Sequence, residues 1–477
     1  MTGFNGLEIG KRALQAQRTG MDVTGNNIAN VNTPGYSRQT AIFTETSPMI
    51  IPTKGFIGTG VSVGAIKSFR EEYFDREIRN NLSRKSGYEA DDRTLQRIET
   101  VLREPSGNGL DDTLTKFFSS FQDLSLEPES IPRRELALNA GQNLANELRS
   151  TATGLSDLRE QTYSKLGTQV GEVNRILKEI ANLNGQITAA QAQSLDTTNT
   201  INNERSKRIE ELAQYGGTVF VSIDNRGLAN VTIAGNSVVT GTFSATLKLN
   251  ETISGTGERT AKIDLVDSGG TPLVTLSPDS GEFASALKHY NVTLDDKDTS
   301  GGFSIAKNLN DLAVSIVSKV NAASVTGFGL DDTVAPSRNF FSSTSIDAFS
   351  IDLDAAVKGQ PRNLPIANAA GVPGDNTVAR AIAGIANDPT FLSSQTPANF
   401  YSSFLNKVAT AGSDAQTGLK TTTLIADQLN AQREAVIGVN LDEEAINLVK
   451  YQKGYEAAAR IVNTTSEMLG TLINLGR

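Results

Sequence analysis

Two stretches of the chain repeat an apolar residue every seven positions, and they lie at its two ends. Near the start the repeat is Leu7, Leu14, Met21 and Ile28, with Gly10, Gln17, Thr24 and Val31 at the intervening three-residue offset. Near the finish it is Leu441, Leu448, Tyr455, Val462 and Leu469, supported by Tyr451, Ala458, Thr465 and Leu472. A seven-residue repeat lays one stripe along one side of a helix, so each end is expected to be amphipathic and coiled-coil-like. Asn440 followed by Glu443 reads as a capping box, and Asp442, Glu443 and Glu444 suit the positive end of a helix dipole. From there to Leu475 the helix should run on the order of 50 Å at 1.5 Å per residue. Neither stripe can bury itself, and pairing the two ends is the economical solution.

The middle follows other periods. Leu95, Ile98 and Leu102 make one helical stripe, and Leu110, Leu114, Phe117, Phe121 and Leu124 a second. From Leu136 to Ile187 helical spacing continues for many turns, with kinks expected near Gly154 or Gly167. After Gly216 the period falls to two, in Val219, Val221 and Ile223, then Val231 and Ile233, Leu247 and Leu249, and Ile263 and Leu265. Turn residues separate these runs, which predicts a small antiparallel β domain. Helical spacing returns at Phe303, Leu309, Leu312, Ile316 and Val320, and again from Thr377 to Ile437, where Pro397 suits a first helical turn. The predicted fold is mainly α with inserted β, in a nested order. Residues 1–66 and 435–477 form a terminal axial coiled-coil domain, 67–215 and 286–434 a helical bundle, and 216–285 the β insert. Residues 324–375, rich in Gly, Pro, Asp and Ser, are left without an assignment, apart from strand-like pieces such as Phe349 to Leu353.

Composition narrows the function classes. The 477 residues carry a formal charge of −9 with no Lys/Arg cluster, which excludes phosphate-backbone binding and so predicts no nucleic-acid partner. No apolar run approaches the ~20 residues that span a bilayer, so no membrane insertion is expected. Met1 to Gly10 lacks the basic and apolar regions of a cleaved secretory signal. Cysteine is absent and His289 is the one histidine, so neutral-pH acid–base and nucleophilic chemistry has little to draw on, and a zinc site is excluded. No Gly-x-Ser-x-Gly elbow accompanies His289, which sits at an expected helix end. Asp296-Lys297-Asp298-Thr299-Ser300-Gly301 begins like a calcium loop, but its twelfth position is Lys307 where a Glu belongs. The acidic pairs Asp91-Asp92 and Asp331-Asp332 lack the facing geometry of a glycosidase, and the Gly55, Gly58, Gly60 run lacks the Lys-Ser/Thr of a phosphate loop. The expectation is a protein that is not an enzyme and uses no cofactor or metal.

The most distinctive segment runs from Asn26 to Gln39 and reads as a helix stop followed by a turn. Asn30 tolerates a left-handed cap, Pro34 forbids continuation, and Pro34-Gly35 suits a type II turn. Its wording, with Ala29-Asn30 and Thr33-Pro34-Gly35-Tyr36 at its core, resembles the N-terminal signature of the flagellar rod, hook and hook-associated axial protein family. Ser37-Arg38-Gln39, Gly58-Thr59-Gly60-Val61-Ser62-Val63, Val439-Asn440-Leu441-Asp442-Glu443-Glu444 and Lys450-Tyr451-Gln452 are similar to its hook-associated members. The resemblance covers about the first 100 and last 45 residues and fades in the β insert. Asn203-Glu204-Arg205-Ser206 departs from an Asp-x-Arg-Asp motif common in the family, and the chain is short for the outer domains of larger relatives.

This resemblance implies a secreted structural subunit of the extracellular flagellar axis, exported unfolded through the flagellar type III channel and ordering its ends on assembly. It implies a mechanical adaptor at the hook–filament junction that self-assembles into a ring. The implied partners are the hook protein, a filament-side hook-associated protein and a cytoplasmic export chaperone. Another axial protein of hook or rod type is the nearest alternative, and a secreted surface-binding module, which would employ the β insert, is a further one.

Overall fold

The computed structural model describes residues 2–33, 36–51, 55–69, 71–103, 109–192, 198–255, 257–297 and 302–475. Helix α1 (Thr2–Ala29) is followed by strands β1 (Gln39–Glu45), β2 (Met49–Ile51), β3 (Gly55–Ile57) and β4 (Val61–Ser68). The inner pair β2–β3 and the outer pair β1–β4 are both antiparallel ribbons. Helices α2 (Glu72–Leu102), α3 (Leu110–Leu124), α4 (Ile131–Ala192) and α5 (Thr198–Gly216) then lead into the inserted sheets. Strands β5 (Val219–Ile223), β6 (Ala229–Ile233), β7 (Asn236–Thr240) and β8 (Phe243–Ser244) form a four-stranded meander. Strands β9 (Thr246–Ile253), β10 (Arg259–Val266) and β11 (Pro272–Leu276) form a second sheet with β10 at its centre. The chain returns through α6 (Gly281–Lys288), a π-helical turn (His289–Thr293), α7 (Ile305–Ser324), α8 (Thr377–Gly384) and α9 (Pro397–Ile437), and ends in α10 (Leu441–Leu475). The chain is thus mainly α with inserted antiparallel β.

The 62 residues of α4 run as one uninterrupted helix, roughly 90 Å long at 1.5 Å per residue, so Gly154 and Gly167 do not break it. Two of its glycines instead admit neighbours. A Cβ on Gly141 would stand 2.5 Å from Phe340, and one on Gly154 would stand 2.8 Å from Val101 of α2. The helix crosses two cores. Its N-terminal half packs with α3, α7, α8, the start of α9 and residues 340–366 around Phe117, Phe121, Phe340 and Phe341, all with zero exposure. Its C-terminal half, from Leu166 to Ala181, packs with α5 and both sheets.

Buried polar side chains fasten the irregular parts to this spine. Arg134, 1% exposed, donates from Nε to the Pro128 carbonyl (2.6 Å) and from Nη1 to the Leu364 carbonyl (2.8 Å). Burial, with Arg362 nearby, lowers its pKa to about 10. Arg159 donates to the carbonyls of Tyr290 and Arg259, pairs with Asp295 at 2.9 Å and lies 4.6 Å over the Tyr290 ring. Asn184 bonds both backbone groups of Ala229 and accepts from Arg205, which also reaches the Gly227 carbonyl. Arg205 therefore anchors the β5–β6 turn.

Residues 324–375 prove ordered without being regular. Isolated bridges join Phe328 to Ala367 and Phe341 to Leu353, a short 3-10 turn spans Pro361–Asn363, and Ile351, Val357, Leu364 and Ile366 are fully buried. Phe349 to Leu353 is not a strand: only Leu353 makes a bridge, and Phe349 is 40% exposed. At α9, Thr396 caps the helix by accepting from Asn399 N–H, with Pro397 in its first turn as the sequence predicts.

The four-phenylalanine cluster holds the first core together through edge-on and tilted rings 4.8–5.9 Å apart. Phe121→Ala should cost about 3–5 kcal/mol, the range for truncating a buried aromatic. Urea unfolding followed by circular dichroism should show that loss as an earlier transition. An unchanged midpoint would mean the cluster is not a cooperative part of the core.

Candidate assembly site at the paired termini

Helices α1 and α10 lie antiparallel, and glycines set how closely they approach. A Cβ on Gly10 would come within 2.6 Å of Val462, one on Gly20 within 2.9 Å of Tyr451, and one on Gly454 within 2.7 Å of Gln17. Gly6 faces Thr465 in the same register. Each glycine thus receives a larger side chain from the other helix, a packing that small residues make possible. Helix α1 also packs on β1 and β4, so it is covered from two sides.

The repeat residues are distributed around this glycine line. Leu7, Leu14, Met21 and Ile28 of α1, and Leu448, Val462 and Leu469 of α10, are half-buried along it. Leu441 and Tyr455 are not in it: they are 51% and 38% exposed. Gly454, one residue before Tyr455, and Ala458, three residues after it, face α1 and set the close approach there, which leaves Tyr455 on the flank of the line. Leu441 is the first residue of α10.

At the end of the pair nearest the bundle, a buried polar clasp joins the two helices across 417 residues of sequence. Asn27, 1% exposed, donates from Nδ2 to the Gln39 carbonyl (2.8 Å) and to Glu444 Oε2 (3.1 Å). Its Oδ1 accepts from Gln39 N–H (3.0 Å) and from the Tyr36 hydroxyl (2.8 Å). Glu444, 2% exposed, accepts from Arg38 Nε at 2.8 Å, while Arg38 Nη1 pairs with Glu443 at 2.8 Å. Burial and then the Glu444 charge push the Tyr36 phenol up to about 12, so it stays a donor at ordinary pH. The same two causes, in the same order, raise Tyr451, whose ring meets Phe43 at 5.9 Å.

The signature turn feeds this clasp. Asn30 N–H closes on the Asn26 carbonyl, its Nδ2 donates to Asn26, and the Thr33 hydroxyl donates to Asn30 Oδ1. Tyr36 N–H bonds the Thr33 carbonyl, which turns its ring back toward Asn27. Pro34 and Gly35 lie outside the described residues, and so does the type II turn expected there. The capping box is corrected by half. Asn440 Oδ1 does accept from Asp442 and Glu443 N–H, but the Glu443 carboxylate is engaged by Arg38 instead of reaching back. Repeat reasoning passed over Asn27, Arg38 and Glu444. The available signal was Glu444 itself, a carboxylate in register with a buried seam, which demands a partner.

The residues weighed for chemistry take structural positions. His289, 1% exposed, places Nε2 2.9 Å from Asp91 Oδ1, and the Ser285 hydroxyl donates to that same carboxylate at 2.5 Å. The serine therefore bonds the acid and not the imidazole. His289, Ser285 and Lys288 together hold Asp91 at about 2 against the opposing effect of burial, which is the largest single influence. Asp331 pairs with Arg362 and Asp332 with Arg338. Asp298 to Gly301 of the loop resembling a calcium site lie outside the described residues. Among the described residues no three His, Asp or Glu side chains form a metal-sized group, and no helix is long and apolar enough to cross a membrane.

Comparison with known proteins matches the same segments. The family model described as "Flagellar hook-associated protein FlgK helical domain" matches residues 95–341, just over half of the chain. A "Flagella basal body rod protein" model matches residues 7–36, and a "Flagellar basal body rod FlgEFG protein C-terminal" model matches residues 436–475. The chain is 24% identical over 502 residues to flagellar hook-associated protein 1 of Bacillus subtilis (strain 168), covering 99% of this chain and 98% of that one. It is 24% identical over 544 residues to the protein of the same name from Salmonella typhimurium, covering 97% and 98%. The flagellar hook junction protein FlgK from Burkholderia pseudomallei shares its fold, with a TM-score of 0.62 at 15% identity over 76% of this chain and all of that one. With the helical-domain match spanning more than half its length and the terminal matches falling on the paired helices, the chain belongs to the flagellar hook-associated protein FlgK family.

Proposed function

We propose that this chain is a structural subunit of the bacterial flagellum at the hook–filament junction, and that it polymerises through its paired terminal helices. The observation that carries the second half is the surface of α10. Its 35 residues have α1 along one side, yet Ile446, Val449, Ile461, Met468 and Ile473 are 49–68% exposed. A helix that is apolar on several sides requires burial on several sides. Neighbouring copies carrying the same helix supply that burial, which favours a ring of paired ends over a free monomer.

The role is mechanical. The bundle and β insert have cores of their own, separate from the seam, so one part can be built into an axial tube while the other remains outside. Hook protein on one side and a filament-side hook-associated protein on the other are the partners this adaptor requires. Export to the cell exterior, with a chaperone guarding the apolar ends beforehand, follows from the same reading.

Val462→Asp places a carboxylate against Gly10 in the half-buried seam, a burial that costs on the order of 3 kcal/mol. Thermal unfolding of the bundle should be unchanged while incorporation into flagella and swimming are lost. Normal filament attachment would refute the seam's role. Glu444→Ala takes from Arg38 and Asn27 the acceptor they share while Arg38 keeps its pair with Glu443, at a cost of about 1–3 kcal/mol, the range for buried donors left unsatisfied. Amide exchange should quicken at Gln39 and at the start of α10 and hold steady in α4; an even response across the chain would argue against a local clasp. Limited proteolysis of the monomer should trim roughly residues 1–60 and 435–477 before the rest, since the terminal pair buries only one side of α10. Equal resistance of the ends and the middle would count against ordering on assembly.

A further inference from the structure

A second surface in the terminal region is left open in the same way. In the β2–β3 hairpin Ile50 pairs directly with Phe56, so both side chains point from one face, and they are 66% and 73% exposed. Met49, on the opposite face, is 42% exposed. From Thr46 to Ile66 the one charged residue is Lys54. Exposed hairpins are ordinarily guarded by charge, and a two-stranded ribbon of three-residue strands is marginal in water unless something covers it. This hairpin is composed as a buried element and stands uncovered.

The complementary surface is on the same chain but out of its own hairpin's reach. Ile446, Ala457, Ile461 and Met468 share one side of α10, away from the line that receives α1, and Ile446, Ile461 and Met468 are 68%, 49% and 63% exposed. Neither patch covers the other within one molecule, since both stay open. We propose that the β2–β3 hairpin of one copy docks on the uncovered face of α10 of a neighbouring copy, seating Ile50 and Phe56 on Ile461 and Met468. This deepens the proposed polymerisation and rests on it.

Spacing and charge support that register. Glu45 lies at the hairpin's root, five residues before Ile50, or about 16 Å along extended chain. Lys450 lies eleven residues before Ile461, about 16 Å along a helix. Seating the apolar pair on Ile461 thus brings the exposed Glu45 level with the exposed Lys450. Because the two patches differ, the contact is head-to-tail and repeats from copy to copy, as an array requires.

The absence of cysteine makes introduced thiols unambiguous reporters. Cells co-expressing Phe56→Cys with Ile446→Cys, Ile461→Cys or Met468→Cys, one substitution per copy, would be oxidised and their sheared flagella run on a denaturing gel. The expected result is a disulfide-linked dimer in the Ile461 or Met468 combinations and none in the unassembled chain. Linking by Phe56→Cys alone would mean that hairpin meets hairpin, and no link in any combination would overturn the docking while leaving the junction reading intact. Absence of the chain from sheared flagella would overturn both. Should Phe56→Cys not assemble, Ile50→Cys runs the same comparison.

Discussion

The fold depends on one closure: residue 27 and residue 444 must meet. Glu444 and Asn27 are both almost wholly buried, and a buried carboxylate is tolerable only with its hydrogen bonds made. Arg38 and Asn27 make them, so α1 and α10 have to close on one register with the signature turn between them. A one-residue slip would put a charge against apolar side chains and leave a guanidinium unpaired. Everything from β1 to the end of α9 is, in topological terms, an insertion between two helices whose ends are clasped.

That insertion holds its shape because α4 is continuous. A helix long enough to enter both cores couples the bundle to the β insert without a flexible joint, and three side chains fix the irregular chain to it. Arg134 holds residues 361–364, Arg159 holds the exit from the sheets, and Asn184 with Arg205 holds the β5–β6 turn. Each spends a buried polar group on backbone carbonyls that would otherwise lack donors. Rigidity of this kind suits a part that transmits force, and it is where catalytic-looking residues went: Asp91, His289 and Ser285 join α2 to α6.

Periodicity made much of this legible. The two terminal helices, the stripes of α2 and α3, the switch to strands after Gly216 and the Pro397 start of α9 all follow from spacing and punctuation alone. What was not legible has a common cause: it depends on partners distant in sequence. The seven-residue repeat identifies a stripe but not which residues touch, and beside Tyr455 the close contact with α1 is made by its neighbour Gly454. Glycines carry no hydrophobic signal, so the repeat included Gly10 only by its offset and gave no sign of Gly6 and Gly20, although all three lie on the surface of approach. Residues 324–375 have no period because their apolar side chains reach the first core from loops, one at a time. The capping box failed in half because a long-range cation, Arg38, competed for Glu443 and won.

The glycine line also explains why the terminal pair suits assembly better than solitude. Glycine gives close approach but buries little apolar area, and at roughly 25 cal/mol per Å² a narrow seam offsets only part of the conformational entropy of two long helices. The pair is held in register by a polar clasp at one end and is lean along the rest. A wider apolar seam would have stabilised the isolated molecule and consumed the surface of α10 that remains available. With the apolar residues of α10 placed on more than one side, the single chain buries one and, in the proposed assembly, each added neighbour would bury another. On the proposed polymerisation, order in the ends rises with the number of copies present, which would restrain premature assembly while the chain is alone and strengthen the structure once a ring closes.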